Sequence, residues 1–455
     1  MITMIYQYVT IIIGRQNDLL PVFCFMILMF GGYFLVPKGR GRYVGSVCVL
    51  MIIMFQLSCR IADAAPHKDS RDQADKEQGV LYSADRVFDG SKFLKNTAIL
   101  VVNGKVERIG SIDELSPYAK QVHRLQDSTI LPGFIELHAH LMLRKVPPEV
   151  VLRHGVTTLR DVGGPLAEPS GGDGKLRILT AGPIITVQKG YPISVFGKGY
   201  IAEPVDDIQQ ARSLVRRLID KGAAVIKIAI EPGGEAGAPW SAHDHAKTST
   251  PWPIPALNLV KAIVEEAHEG GRITTAHVGE KTGAAIAVAA GVDEWAHIPC
   301  DDVDDETLRR AADRKVRIVT TLDTMSHCRG AFNNGRKLAG FGVRFLYGAE
   351  IAHTDVPWGI DARELELMHH ILGLSFEEVL SAATSEAGKE LGSKLLGSLS
   401  PGAPADLIAV KGDASRDFKL LEYPALVVSG GKIIVNEYQA AGIKPDLGAR
   451  SPHKH

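Results

Sequence analysis

The stretch Leu131-Pro-Gly-Phe-Ile-Glu-Leu-His-Ala-His140 decides how this chain is read. Ile130–Leu137 is an apolar, β-rich run, and it delivers His138 and His140 at its end. Alternate residues of a strand point the same way, so two imidazoles at this spacing can meet one ion. An H-x-H triplet alone is weak evidence, because it arises by chance. Its place at the end of an apolar strand gives it weight, since α/β barrels assemble their active sites at C-terminal strand ends.

Outward from this strand the chain alternates apolar strands with amphipathic helices, which implies a parallel sheet. The strands expected are Ile130–Leu137, Thr157–Val162, Arg177–Ala181, Val225–Ile230, Ile273–His277, Glu294–Ile298, Arg317–Thr321 and Val343–Tyr347. Helices are expected over Asp207–Lys221, Ala256–Glu269 and Glu306–Arg314, and Ser375-Phe-Glu-Glu378 is a capping box opening a helix to about Leu391. Eight such units over about 260 residues suit an α/β fold of the (β/α)8 TIM-barrel class, whose usual length is about 250. Short β segments flank them. Ala98–Asn103 and Lys105–Ile109 surround the hairpin signal Asn103-Gly104, and Ala405–Val410, Ala425–Val428 and Lys432–Val435 follow the barrel. Too short to stand alone, these segments are expected to pair into one small β-sandwich. A doubly wound open sheet would need a Gly-rich phosphate loop after its first strand, and none stands there.

The whole chain has 455 residues, 45% hydrophobic and 23% charged, with 51 basic against 52 acidic residues and a net charge of −1. Forty-six glycines and 24 prolines with ordinary charge exclude collagen, a disordered chain and a coiled coil. The balanced charge offers no footprint for nucleic acid. The N-terminus is a different material. Two apolar runs, Leu19–Val36 and Val44–Leu57, are separated by Lys38, Arg40 and Arg42. The second run, followed by Ala62-Asp63-Ala64 before Ala65, reads as a signal peptide. The first is near the lower length limit for a membrane span. A translation start near Val36 is an alternative, and Leu57-Ser58-Cys59 offers a weaker lipoprotein signal. The expected division is therefore 1–65 for export or anchoring, 66–78 linker, 79–129 first sandwich part, 130–392 barrel, 393–438 second sandwich part and 439–455 tail. The expected location is exported, periplasmic or extracytoplasmic, with membrane contact through the N-terminal segments. Cys24, Cys48 and Cys59 lie in the removable region, which leaves Cys300 and Cys328 as a disulfide or as two buried thiols.

The chemistry-bearing residues sit at strand ends. Lys227 interrupts the apolar run Ala223-Ala-Val-Ile-Lys-Ile-Ala-Ile230, where a cation is costly unless partnered. It reads either as a salt-bridged structural lysine or as an amine whose pKa burial lowers. His277 and His297 close two further strands. Taken with Gly155-Val-Thr-Thr-Leu-Arg-Asp-Val-Gly-Gly164, Val225-Ile-Lys-Ile228, Glu266-Ala-His268, Thr275-Ala-His277, Ala382-Ala-Thr-Ser385 and Leu399-Ser-Pro-Gly-Ala-Pro-Ala-Asp-Leu407, the chain resembles the amidohydrolase superfamily. The likeness is to its imidazolonepropionase-like and Xaa-Pro dipeptidase-like branch, and it runs from about Gly79 to Asn436.

The resemblance implies two divalent metal ions, zinc or similar. His138 and His140 would bind the more buried ion, His277 and His297 the second, and Lys227, carboxylated by CO2, would bridge them. The sequence departs from the family pattern on the eighth strand, where the family usually ends in Gly-Thr-Asp. Gly342-Val-Arg-Phe-Leu-Tyr-Gly-Ala-Glu350 places Glu350 at the acid position, with Asp355 of His353-Thr-Asp355 as the alternative. The third strand shows Gln188-Lys-Gly-Tyr191 where many relatives carry Gly-Gly-His, which makes Tyr191 a candidate for substrate contact. His243, in His243-Asp-His245, is another candidate. It lies in the Gly-, Pro- and Ser-rich loop Glu231–Pro255, a solvated or substrate-facing segment suited to a lid. His268 reads as structural, His369 and His370 as helix surface, and Arg160-Asp161 as a pocket pair or a buried ion pair.

The function so implied is hydrolysis of an amide C–N bond by a metal-bridging hydroxide, with Glu350 or Asp355 carrying the proton to the leaving nitrogen. A dipeptide (Xaa-Pro or another C-terminal residue) or an N-acyl amino acid leads as substrate, with a cyclic amide, imide or carbamate behind. Two readings from other classes stand beside it. One is a metal-bound, non-catalytic periplasmic binding protein, and the other a membrane-anchored interaction module. A homo-oligomer is compatible with the sequence.

Overall fold

The computed structural model describes residues 79–438 apart from Lys198, 235–236 and 241–250. All of the described residues belong to one compact unit. The export signals, the linker and His243 therefore lie outside the described residues. Among the described residues no helix is long and apolar enough to cross a membrane.

The chain opens with β1 (Gly79–Phe88), β2 (Phe93–Val102), β3 (Lys105–Gly110) and the long β4 (Ala119–Pro132). Asn103 and Gly104 both take positive φ, 50° and 75°, which is what a two-residue hairpin between β2 and β3 demands. The parallel region follows as β5 (Phe134–Ala139), β6 (Val156–Asp161), β7 (Ser170–Gly172), β8 (Lys175–Thr180), β9 (Ile184–Thr186), β10 (Ala202–Pro204), β11 (Ile226–Ile230), β12 (Thr274–Val278), β13 (Glu294–Trp295), β14 (Arg317–Val319) and β15 (Phe345–Leu346). The chain ends with β16 (Leu407–Lys411), β17 (Leu426–Ser429) and β18 (Lys432–Asn436).

The flanking strands, expected as a sandwich, are hydrogen-bonded as one continuous sheet in the order β18-β17-β16-β4-β1-β2-β3. Continuity comes from β4, which pairs in parallel with β1 along most of its length and antiparallel with β16 from Ser128 to Pro132. The run expected as one strand over Ile130–Leu137 is consequently divided at Gly133. Pro132 has no N–H to continue the ladder, and a Cβ at position 133 would stand 2.2 Å from Thr157 Oγ1. Up to Pro132 the chain belongs to the flanking sheet, and from Phe134 it opens the parallel region.

That region is α/β with two parallel sheets, β5-β6-β8, extended by the antiparallel β7, and β10-β9-β11-β12-β13-β14-β15. The chain passes from β8 in one sheet to β9 in the other across 181–183. At the far side, His140 N donates to Ile351 O at 2.9 Å and Ala139 pairs with Ile351. Helices cover the strands by ordinary amphipathic logic. Ile208–Asp220 is capped by Asp207, which accepts from Gln210 N, and buries Ala211, Leu214, Val215 and Leu218 at helical spacing. Each such Leu or Val removed from water contributes roughly 1.5–3 kcal/mol. The helix begun by the Ser375–Glu378 capping box ends at Ala382, short of the expected Leu391. Thr384 turns its hydroxyl back onto Leu380 O, and a separate helix, Ser385–Glu390, follows.

Candidate active site

The residues singled out by sequence converge at the C-terminal ends of the parallel strands. His138 lies in β5 and His140 one residue beyond it, with their Nε2 atoms 3.3 Å apart. Lys227 lies within β11 and His277 within β12, while His297 follows β13 and Glu350 follows β15. The His297 ring centroid stands 4.6 Å from that of His138 and 4.7 Å from that of His277. Donor atoms of His138, His297 and Glu350 all fall within 4.8 Å of one another, close enough to share an ion.

Each ring is held from behind. His138 Nδ1 faces the Ala296 carbonyl at 2.9 Å, so it carries the proton and leaves the Nε2 lone pair directed at His140. A hydrogen bond to the Gly163 backbone anchors His140, whose Nδ1 would lie 3.0 Å from a Cβ at position 163. His297 Nδ1 meets Thr321 Oγ1 at 2.9 Å. Glu136 ties two strand ends together, since Oε1 accepts from His138 N at 2.6 Å and Oε2 from Ala349 N at 2.9 Å. Burial raises its pKa well above the ordinary range.

Electrostatically the site is largely buried and short of partners. Burial, followed by Lys227 and the neighbouring imidazoles, pushes His138 well below its ordinary value, and burial with Lys227 takes His140 to about 3. Burial and then His277 lower His297 in the same direction. The rings are neutral at pH 7, which is the form that binds metals. Burial lowers Lys227 to about 7, against the opposing pull of Glu350. Burial raises Glu350 to about 7, partly offset by Lys227. Among the described residues neither Lys227 Nζ nor Glu350 Oε2 has a hydrogen-bond partner. The backbone is strained here too. Thr321 and Glu350 sit at φ 45° and 66°, a region disfavoured for residues with a Cβ.

These groups line a cavity of about 790 Å³ that also presents Tyr191, Trp240, Phe196 and Ile201. Tyr191 is brought to the site as expected, its ring centroid 4.5 Å from that of His277. Asp355 reaches the same cavity, but its side chain is mostly exposed and its nearest ion-pair contact is His353 at 4.0 Å. Glu350 Oε2 instead lies 3.9 Å from His297 Nδ1, on a side chain that is only 17% exposed. His268, His369 and Arg160 find structural partners. His268 bonds Asp293 at 2.8 Å, His369 bonds the Leu374 carbonyl at 2.6 Å, and Arg160 pairs with Glu294 at 2.6 Å in the interior. Asp161 is not its partner. It accepts from the Leu141 and Gly163 amides instead, and burial raises it to about 6.

Sequence reading missed Glu231 and Trp240. Glu231 Oε2 stands 3.3 Å from His277 Nε2, and the Trp240 ring centroid is 4.4 Å from that of His277. Glu231 is the first charged residue after β11, four positions beyond Lys227 and so on the same strand face, which is the signal that identifies it.

The family model for the amidohydrolase family matches residues 129–434. The chain belongs to the amidohydrolase family. Ochratoxinase from Aspergillus niger is 28% identical over 269 residues, 54% of this chain and 53% of the relative, so the chain spans about half the length of that curated protein. Imidazolonepropionase from Deinococcus deserti is 22% identical over 356 residues, 71% of this chain and 88% of the relative. Among solved structures, a Xaa-Pro dipeptidase with methionine bound in its active site superimposes with a TM-score of 0.63 at 22% identity, covering 78% of this chain and 99% of that one. That likeness gives the chain a TIM-barrel-like α/β fold. Members of the family generally bind divalent metals, and the His138, His297 and Glu350 grouping is a candidate place for one.

Proposed function

We propose that this protein is a metal-dependent hydrolase of an amide C–N bond, with its two parallel sheets closed as one (β/α)8 barrel. The observation that carries the reading is the meeting of four histidines, one buried lysine and one largely buried glutamate at the strand ends around a single cavity. The donor set fits divalent ions. Neutral imidazoles with their far nitrogens anchored, and an unpartnered amine and carboxylate oxygen, are groups that burial disfavours without a ligand.

His138 and His140 would hold one ion, His277 and His297 a second, and Lys227 would bridge them as a carbamate. With burial lowering Lys227 to about 7, about half of it at pH 7 is the neutral amine that adds to CO2, with loss of one proton, giving an anion where a cation is costly. When bound, the metal supplies Lewis acidity, zinc being suited to imidazole and oxygen donors. Glu350 takes a proton from the attacking water and returns it to the leaving nitrogen, a task that a carboxyl raised to about 7 by burial can perform in both directions. Tyr191 and Trp240 supply an apolar wall that excludes water from this exchange.

A dipeptide or an N-acyl amino acid leads as substrate, supported by the ochratoxinase relative and by the fold shared with a Xaa-Pro dipeptidase. Export to an oxidising compartment is supported by the disulfide between Cys300 and Cys328. The test is metal analysis of the purified protein combined with a hydrolysis screen of dipeptides and N-acyl amino acids. Bound metal with turnover abolished by Glu350→Gln is the expected result. Bound metal with no turnover in the parent or in Glu350→Asp would overturn the enzyme reading and leave a metal-bound binding protein.

A further inference from the structure

The mechanism above leaves one buried charged group at the site without a task. Glu231 follows β11 directly, and the pairing of Ala229 with His277 places Glu231 on the same face as that ring, two residues further along. Its side chain is fully buried, and that of His277 nearly so. Both carboxylate oxygens are engaged. Oε1 accepts from Gly233 N at 2.7 Å, and Oε2 lies 3.3 Å from His277 Nε2. The neighbouring strand leaves room for this arrangement. A Cβ at Gly279 would stand 2.2 Å from Glu231 Oε2 and 2.4 Å from Trp240 Cζ2, so position 279 must be glycine for the carboxylate and the indole to sit as they do. Trp240 packs edge-on to His277, covering the contact from solvent, where hydrogen bonds to charged groups gain strength.

We infer that Glu231 is a positioning residue that fixes the tautomer and orientation of His277. The inference rests on the metal reading above. A carboxylate can only accept, so the proton of a neutral His277 must reside on Nε2, which leaves the lone pair on Nδ1. His138 is set the opposite way, because its Nδ1 donates to the Ala296 carbonyl. The two halves of the centre therefore differ. His138 offers Nε2 to a metal, whereas His277 offers Nδ1, with an anion behind it that raises its basicity. Loss of a carboxylate in this position weakens metal affinity by about 10–100-fold.

The experiment compares the parent with Glu231→Gln and the conservative Glu231→Asp, each stripped by chelator and retitrated with Zn2+ or Co2+ against a chromophoric chelator. Glu231→Gln is expected to bind one equivalent as the parent does and the other roughly 10–100-fold more weakly, with the Co2+ absorption spectrum altered. Saturating metal should restore most of kcat, which removal of a direct ligand would not allow. Histidine 15N NMR of the metal-free parent should show His277 protonated on Nε2, and this proton should become mixed between the two nitrogens in Glu231→Gln. Glu231→Asp, which keeps the charge, covers the case in which the Gln variant fails to fold, and should fall between the two. Equal affinity for both equivalents in parent and variants, or an Nδ1-protonated His277 in the parent, overturns the role of Glu231 alone. A parent that takes up no divalent metal overturns the metal reading and this inference with it.

Discussion

Replacing Lys227 by Met should make the metal-free protein more stable while abolishing its metal binding. Lys227 is wholly buried, and burial lowers its pKa from 10.5 to about 7. The unfolded chain therefore holds a proton that the folded chain gives up between those values. The cost is fully present below about pH 7 and fades as pH rises toward 10.5. A shift of about 3.5 units at ~1.36 kcal/mol each is about 5 kcal/mol of destabilisation at its largest. Met keeps the length and removes the charge, so little packing is lost. In chelated, CO2-free buffer, urea unfolding followed by circular dichroism should show the variant more stable by on the order of 3–5 kcal/mol at pH 7. The gap should close by pH 10. Two results would refute the reasoning: a parent at least as stable as Lys227→Met at pH 7, or a gain of the same size at both pH values, which would mark it as packing. In the presence of metal and CO2 the order should reverse, because only the parent can be stabilised by ligand.

The Arg160–Glu294 pair gives a second prediction, since both side chains are almost fully buried and only 2.6 Å apart. Glu294→Gln strands the guanidinium and should cost about 3–5 kcal/mol, whereas the double variant Arg160→Met/Glu294→Leu should lie near the parent in urea unfolding. A double variant as damaged as the single one would contradict this. Cys328→Ser should lower stability by about 3–4 kcal/mol, the chain-entropy value for a bridge closing 28 residues. The same loss should follow reduction of the parent, and a parent indifferent to reductant would speak against it. Glu350 must be ionised to accept a proton, and burial holds it near 7 in the metal-free protein. The pH profile of kcat/KM should therefore fall on the acid side, with bound cations drawing that limb below 7. Glu350→Gln should lose at least about 10²-fold in kcat, and an unchanged acid limb in Glu350→Asp would assign it to another group.

Much of the site was legible because its signals are local. His138, His140, Lys227, His277 and His297 each interrupt or end a run of apolar β-formers, and a polar group in that place demands a reason. The strands themselves follow from the same runs, and a strand occurs at every one of the eight expected positions. What was not legible depends on contacts far apart in sequence. The division at Gly133 answers to Thr157 across the sheet, and the choice of Glu294 over Asp161 as the partner of Arg160 spans 134 residues. The continuous flanking sheet is set by β4 bending from β1 to β16, a pairing that no periodicity records. Glu231 lay within reach of the same local argument. It does open a loop, but directly after β11 and in register with the inward-facing Lys227 and Ala229, which the composition of the loop hides.

The cost of the site also argues for a ligand. Around one cavity the protein keeps an unpartnered buried amine, an unpartnered carboxylate oxygen and three non-glycine residues at positive φ, Glu350 and Ala352 in the lining and Thr321 behind His297. Each costs roughly 1–3 kcal/mol or more, against a total stability of about 5–15 kcal/mol for a typical domain. The adjoining layer, with Ile226, Ile228 and Ala276 fully buried, shows that the same strands pack apolar residues without such defects. Thr321 touches His297 through its hydroxyl, and Glu350 approaches the same ring through its carboxylate. Two of the three strained residues therefore aim groups at the histidines. Defects so placed destabilise the protein, and the proposed cation, contacted by the carboxylate and by the carboxylated amine, would relieve them. On this reasoning metal loading should stabilise the parent by several kcal/mol and leave Lys227→Met unchanged, and equal gains in the two would remove the link between strain and ligand.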